Sequence, residues 1–343
     1  MLGGSAGSLA VFHGILSALP CDLPAALVCV QHLSAEGRSA AQALSGKVPL
    51  KVVTAADGMA LEQGTAYFAP ADRHVLLTPD RLRVVHGPRE NNVRPSIDVL
   101  FRSAAVGYRS RVIAVLVSGS QSDGVLGLVA VKRCGGVTIV QEPSEASYGE
   151  LPSQALNKGN IDHVASATEI AALLVRLCDS EPAPAASVPE ELRVEALASA
   201  AAMGTSLPLG PKNGEPMHLT CPECDGPIWR SRTPGGAEYR CDVGHGFTAE
   251  AMLRGQSRSL ERALCVAFRT LKERALLIEQ MAKGMRERGL EPSARSFEAR
   301  CRELDEHAAT IHGVLSAGWE GKPQLEAEDI AQSEPDADLS EDE

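Results

Sequence analysis

A hydroxyl, an imidazole and a carboxylate each stand at a sharp turn of this chain. Ser5 lies in Gly3-Gly4-Ser5-Ala6-Gly7, a G-x-S-x-G pentapeptide whose small neighbours let the backbone bend and expose the serine. His32 follows the apolar run Leu27-Val28-Cys29-Val30 with only Gln31 between. Asp123 closes Ser118-Gly119-Ser120-Gln121-Ser122-Asp123-Gly124, directly after the apolar run Val112 to Val117. Taken singly, these residues also fit a glycine-rich loop, a satisfied core histidine and a helix N-cap. Taken together, they have the chemistry of a serine made nucleophilic by a base that a carboxylate orients. The glycine spacing fails G-x-G-x-x-G and no Gly-Lys-Ser/Thr follows, so a nucleotide phosphate loop fits poorly. Only four residues precede Ser5, which disfavours an ordinary α/β-hydrolase, whose nucleophile follows earlier strands and an oxyanion loop.

A second cluster lies far downstream. Cys221-Pro222-Glu223-Cys224 and Cys241-Asp242-Val243-Gly244-His245 form C-x2-C-x16-C-x3-H. Three thiolates and an imidazole at this spacing predict a closed, structural zinc shell held by Cys221, Cys224, Cys241 and His245, with no open position for catalysis.

The elements that position these groups follow from patterning. Short continuous apolar runs predict strands over Ala26 to Gln31, Lys51 to Thr54, Ala66 to Ala69, Val112 to Val117 and Val137 to Gln141, as expected when helices cover both faces of a parallel sheet. Helices are predicted over Ile97 to Tyr108 and Gly124 to Cys134, and the region of Tyr67-Phe68 and His74 to Val85 resembles a hairpin. The predicted fold class is α/β, a doubly wound, largely parallel sheet, followed by a zinc-ribbon-like unit and an α-helical hairpin. The boundaries expected are an α/β domain over 1–178, a Pro-rich and Ala-rich linker over 179–218, the Cys-rich unit over 219–253 and the hairpin over 254–318. In the hairpin, Leu264, Phe268, Leu271, Ala275, Ile278, Ala282 and Met285 make one apolar stripe. Phe297, Cys301, Leu304, Ala308, Ile311 and Leu315 make another, and Gly289 and Pro292 punctuate the turn.

The 343 residues suit about two domains at roughly 150 residues each. Of the net charge of -11, nine units come from Asp and Glu beyond residue 323, in a stretch without Lys or Arg. The expectation for 319–343 is a solvated acidic tail. The near-neutral body and 3% aromatic content argue against nucleic-acid binding. No apolar run approaches a membrane span, and the first residues lack the pattern of a secretory signal, so no membrane insertion and a cytoplasmic location are expected. Nine cysteines, with those outside the C-x2-C-x16-C-x3-H cluster scattered among apolar residues, read as thiols of a reducing compartment.

Several further motifs stand in order between residues 2 and 165. These are Gly3-Gly4-Ser5-Ala6-Gly7-Ser8, Val30-Gln31-His32, Tyr67-Phe68-Ala69-Pro70-Ala71-Asp72-Arg73-His74, Arg94-Pro95-Ser96-Ile97-Asp98-Val99-Leu100-Phe101, Ser118 to Gly124, Gln141-Glu142-Pro143 and Leu151-Pro152. Together they resemble the catalytic domain of the chemotaxis protein-glutamate methylesterases, the CheB-type family, in a stand-alone form with a Cys-rich extension. The resemblance implies a Ser5 nucleophile, a His32 general base and an Asp123 that orients the histidine. Ser8 stands where the family usually has Gly, and Gly119-Ser120-Gln121 where it usually has Gly-Met-Gly. The apolar strand that normally delivers the nucleophile is almost absent before Met1-Leu2, so the expectation is either a truncated start or a Ser5 held less firmly.

The implied reaction is hydrolysis of glutamyl methyl esters on a chemoreceptor through an acyl-enzyme, with glutamine deamidation as a related activity and no catalytic cofactor. The partner implied is a methylated chemoreceptor or similar signalling protein, and self-association is expected to use the helical hairpin. A non-catalytic signalling adaptor and a serine hydrolase of another ester are the alternatives. Tyr148 is expected to line the cleft. Arg94 and Asp98 are expected in surface or capping roles, with docking of an acidic receptor as the functional alternative.

Overall fold

The computed structural model describes residues 1–32, 40–79, 81–158, 160–184, 186–200, 214–233 and 236–317. The apolar runs become β1 (Leu2–Gly4), β2 (Leu27–Gln31), β3 (Lys51–Thr54), β4 (Thr65–Phe68), β5 (His74–Leu77), β6 (Leu82–Val85), β7 (Ile113–Leu116), β8 (Val137–Gln141) and β9 (His163–Ala165). Seven of these form one sheet of order β3-β4-β2-β1-β7-β8-β9, in which every neighbouring pair is parallel. The helices of this region are α1 (Ser8–Ala18), α2 (Ala40–Leu44), α3 (Ile97–Tyr108), α4 (Val125–Arg133), α5 (Glu150–Lys158), α6 (Ala167–Cys178) and α7 (Glu190–Ala200).

Alternate strand residues feed two cores. Val28, Val30, Ala114 and Leu116 pack with Leu100, Phe101 and Leu128 on one face. Leu27, Cys29, Val115 and Ile139 pack with Phe12, Ile15, Leu16 and Ile170 on the other. With both faces covered, the strands have no polar side to show, which is why they read as unbroken apolar runs. Burial of one such aliphatic side chain contributes about 1.5–3 kcal/mol.

Sequence and structure differ at four places. The first strand is short but central: Gly3 pairs with Val30 on one side and Leu116 on the other. A Cβ on Gly3 would stand 2.4 Å from Ile97 Cγ2, so glycine is what lets α3 lie directly against β1. Tyr67 and Phe68 belong to parallel β4, and the hairpin is β5 with β6 alone. The stretch expected as a linker contains α7, whose Leu192, with nearby Val188, joins the core beside α3; residues 201–213 lie outside the described residues, as does the expected acidic tail. The Cys-rich ribbon belongs with the α/β domain in one compact unit, Met1–Gly255, because its last strand bridges to the loop before α3.

That ribbon is an antiparallel sheet of β10 (Glu215–Thr220), β11 (Pro227–Thr233), β12 (Gly236–Cys241) and β13 (Gly246–Thr248). The second unit begins at Gln256 and is helical. Helix α8 (Ala249–Glu287) turns at Gly289, which has φ 73°, into α9 (Glu291–Ser316) with Pro292 in its first turn. Ala275, Ala282 and Ala308 are buried along the two predicted stripes, Ala294 is buried one turn before the second, and Lys272 pairs with Asp305 at 2.8 Å. No helix among the described residues is long and apolar enough to cross a membrane.

Candidate active site and metal centre

Parallel strands of an open sheet expose their carboxyl ends along one edge, and ligands collect where the strand order reverses. Here the chain leaves β1 for β2 on one side and later returns to β7 on the other. Ser5 follows β1, His32 follows β2 and Asp123 lies in the loop after β7. The backbone N–H of Ser5 donates to Ser118 O at 3.0 Å, and that of His32 to Gly4 O at 3.2 Å, so both are tied to the sheet. Ser5 is therefore held on both flanks of its short strand. A less firmly held Ser5, one of the two alternatives for the short first strand, is not what these hydrogen bonds give.

The three side chains meet. His32 Nδ1 lies 3.2 Å from Ser5 Oγ, and His32 Nε2 lies 2.9 Å from Asp123 Oδ2. A proton on Nε2 donated to the carboxylate leaves the Nδ1 lone pair facing the hydroxyl, the arrangement a general base needs. Ser5 and His32 are partly exposed, while Asp123 is buried. The turn at Ser5 requires small residues: Gly7 has φ 74°, and a Cβ on it would stand 2.8 Å from Ser118 Oγ. Tyr148, expected to line the cleft, is half exposed and borders this turn, and its carbonyl accepts from the Gly119 N–H at 2.9 Å. An open groove lined by Gly7, His13, Gln31 and Lys47 adjoins the site.

Asp123 is fixed by more than His32. Its Oδ1 accepts from Ser96 Oγ at 2.7 Å, Asn91 Nδ2 at 3.0 Å and the Asp98 N–H at 3.4 Å, while Oδ2 also accepts from the Ile97 N–H at 2.6 Å. Burial alone would favour the neutral acid, but His32, Asn91 and Ser96 outweigh it and hold the carboxyl below the ordinary aspartate range. Asp98 behaves oppositely. Burial, reinforced by the charge of Asp123, pushes its carboxyl well above the usual range and favours its neutral form. The Asn91 amide spans the pair, donating to Asp98 Oδ2 at 2.8 Å as well as to Asp123.

Arg94 and Asp98, expected in surface or capping roles, are both held by hydrogen bonds within the fold. Asp98 is buried, with its Oδ1 accepting from the Gly127 N–H at 2.6 Å, and cannot dock a receptor. Arg94 is turned to Asp72 Oδ1 at 2.7 Å and Gly87 O at 2.6 Å. Asn91 was not foreseen as a site residue; its only sequence signal is its place just before Arg94-Pro95-Ser96. His74 is a satisfied core histidine, bonded to Pro88 O and the Ser96 N–H.

In the ribbon, the ligand atoms of Cys221, Cys224, Cys241 and His245 all lie within 4.8 Å of one another. Cys224 Sγ is 3.7 Å from Cys241 Sγ, and His245 Nδ1 is 3.4 Å from Cys241 Sγ and 3.7 Å from Cys221 Sγ. A tetrahedron with Zn–S of about 2.3 Å and Zn–N of about 2.05 Å has edges of about 3.6–3.8 Å, so this cluster fits a zinc ion. None of the nine cysteines is in a disulfide.

The family model for the CheB methylesterase matches residues 1–174. A putative protein-glutamate methylesterase/protein-glutamine glutaminase of Leptospira interrogans (serovar copenhageni) is 34% identical over 179 residues, covering 52% of this chain and 93% of the relative. Protein-glutamate methylesterase/protein-glutamine glutaminase 3 of Geobacter metallireducens is 36% identical over 184 residues, and the chain spans 51% of its length. Among solved structures, the Thermotoga maritima CheB methylesterase catalytic domain is 31% identical with a TM-score of 0.50, covering 51% of this chain and 96% of that one. The match over residues 1–174 spans the sheet and every residue gathered around Ser5, so this chain belongs to the CheB methylesterase family.

Proposed function

We propose that the protein is a serine-type protein-glutamate methylesterase acting on a methylated chemoreceptor or similar signalling protein. The observation that carries this reading is the continuous Ser5–His32–Asp123 chain, with contacts of 3.2 and 2.9 Å, at the carboxyl ends of β1, β2 and β7. His32 Nδ1 takes the Ser5 proton as Oγ attacks the ester carbonyl, and Asp123 stabilises the resulting imidazolium. Backbone amides at the start of the helix after Ser5 and in the Ser120 loop stabilise the oxyanion. The imidazolium returns its proton to the departing methoxide, giving methanol and a glutamyl ester of Ser5. Water, deprotonated by the same imidazole, then releases the glutamate carboxylate and restores the hydroxyl. Attack on a glutamine amide by the same steps releases ammonia.

A site whose Ser5 and His32 are partly exposed suits a side chain presented on another protein's surface, and no metal is needed for this chemistry. The ribbon takes zinc in a structural role, with Cys221, Cys224, Cys241 and His245 as ligands. The free thiols fit a cytoplasmic setting. Methanol release from membranes carrying methyl-esterified chemoreceptor, set beside release from a small soluble methyl ester, tests the reading. Faster release from the receptor is the expected result. Release from the small ester alone assigns a different substrate, and release from neither leaves the adaptor reading.

A further inference from the structure

The ribbon does not stand apart from the reacting groups. Cys241 and His245 close its second knuckle, where the Cys241 N–H donates to His245 O at 3.1 Å and the Gly244 N–H to Cys241 O at 3.0 Å. The next residue is Gly246, the start of β13. The Gly246 N–H donates to Arg89 O at 3.2 Å, and Gly246 O accepts from the Asn91 N–H at 2.8 Å. Two residues on, the Thr248 N–H donates to Asn91 Oδ1 at 3.0 Å, and Thr248 Oγ1 meets Ser122 Oγ, beside Asp123, at 3.0 Å. Asn91 is thus gripped at its backbone and its side-chain oxygen by β13 while its Nδ2 donates to Asp123.

This grip is built rather than incidental. Asn91, Phe247, Thr248 and Ser122 are all buried, and Asn91 has φ 53°, a left-handed conformation that asparagine tolerates and that needs support from its partners. Accepting from β13 through Oδ1 also fixes which way the amide points, so that both of its N–H bonds face the carboxyls of Asp98 and Asp123. An amide freed from Thr248 could turn over and present an acceptor to an ionised carboxylate.

We propose that Asn91 is a positioning residue for Asp123 and that metal occupancy of the ribbon governs it. A filled shell fixes the Cys241–His245 knuckle and hence β13. An emptied shell releases β13, lets Asn91 rotate, and leaves Asp123 short of a donor while Ser5 and His32 stay in place. The inference rests on the hydrolase reading only for its kinetic consequence, because the link from ribbon to Asn91 can be read without turnover.

The test uses the full chain loaded with zinc, stripped with a chelator, and reloaded. Amide hydrogen exchange over residues 89–98, followed alongside methanol release, should accelerate on stripping and recover on reloading. Methanol release should fall about 10- to 100-fold in kcat, the scale set by misplacing a reacting group by about 1 Å, with KM within about twofold. Asn91→Ala, assayed with zinc retained, should show a similar loss in kcat. Its pH–rate profile should carry the acid limb to higher pH, because one donor to the Asp123 carboxylate is gone. A merely structural residue would not move that limb. Zinc loss with unchanged exchange over 89–98, a purified chain that binds no zinc, or an Asn91→Ala enzyme with wild-type kcat and pH profile would each overturn the proposal. Changed exchange in a chain that hydrolyses nothing would support the link and sink only the assigned activity.

Discussion

Gly119 lies so close to Ser5 that a Cβ added to it would stand 2.9 Å from the Ser5 Cβ and 2.7 Å from Leu151 Cδ2. Neither neighbour is free to retreat: Ser5 is tied to Ser118 through its backbone, and Leu151 is buried. Gly119→Ala should therefore displace the nucleophile, lowering kcat by at least about tenfold, and cost about 1–3 kcal/mol in stability from overpacking. Gly14, in α1 with nothing within 4 Å of its would-be Cβ, is the control. Gly14→Ala should leave turnover unchanged and stabilise by up to about 1 kcal/mol, read by thermal unfolding.

The two buried carboxyls beside Asn91 should respond differently to amide substitution. Asp123→Asn removes a charge that the site is built to hold and presents the wrong hydrogen-bonding pattern to His32. Loss in kcat on the order of 10⁴ is expected. Asp98→Asn replaces a group whose burial already favours the neutral form, so kcat should fall by less than about tenfold. Steady-state methanol release by the two variants makes the comparison.

A buried cluster joins α3, α7 and the ribbon. Arg102 is paired with Glu90 and lies 3.8 Å from Glu195 and 4.0 Å from Glu238, while Ser199 donates to Glu90 at 2.5 Å. Burial, with Glu238 beside it, pushes the Glu195 carboxyl up to about 7. The folded chain then retains a proton that the unfolded chain gives up above its ordinary glutamate value of about 4.3. Stability from this group is fully present below that value and declines as pH rises to about 7. Urea unfolding at pH 5 and pH 7 should show the decline, and Glu195→Gln should flatten it by about 1–3 kcal/mol. Arg102→Met removes one of the two guanidinium groups paired with Glu90 and Glu238, leaving Arg240 alone against the three carboxyls of the cluster, and should cost about 3–5 kcal/mol.

Much of this site was legible because His32 and Asp123 stand in the loops just beyond the apolar runs of β2 and β7, and Ser5 in a glycine-rich turn, so local pattern announces each of them. The remainder depends on distant chain. Asn91 gains its role from Thr248 and Gly246, which no local pattern around residue 91 contains. Asp98 reads as a helix N-terminal acid because an acidic first turn suits the helix dipole. It is buried by Gly127, where a Cβ would stand 3.1 Å from the Asp98 Cα and 2.6 Å from the Phe101 Cβ. Helix α7 was hidden by the Pro-Ala-rich stretch before it, since its core contact needs little more than Val188 and Leu192. The short β1 was hidden by its glycines, which have low strand propensity but admit α3.

Metal content is readable through the thiols. One zinc per chain is expected, with Cys221, Cys224 and Cys241 protected while it is bound. Chelation under native conditions should raise the number of rapidly titrating thiols by three, and Cys221→Ser should abolish stoichiometric zinc. Elemental analysis of the purified chain checks both.

Proton transfer from Ser5 to His32 is the step on which the proposed hydrolysis depends. The most direct measurement is methanol release from methyl-esterified receptor by wild-type, Ser5→Ala and His32→Gln chains with matched thermal unfolding. The prediction is turnover by the wild type and losses of at least about 10⁴-fold in each variant. Undiminished release by Ser5→Ala would contradict it.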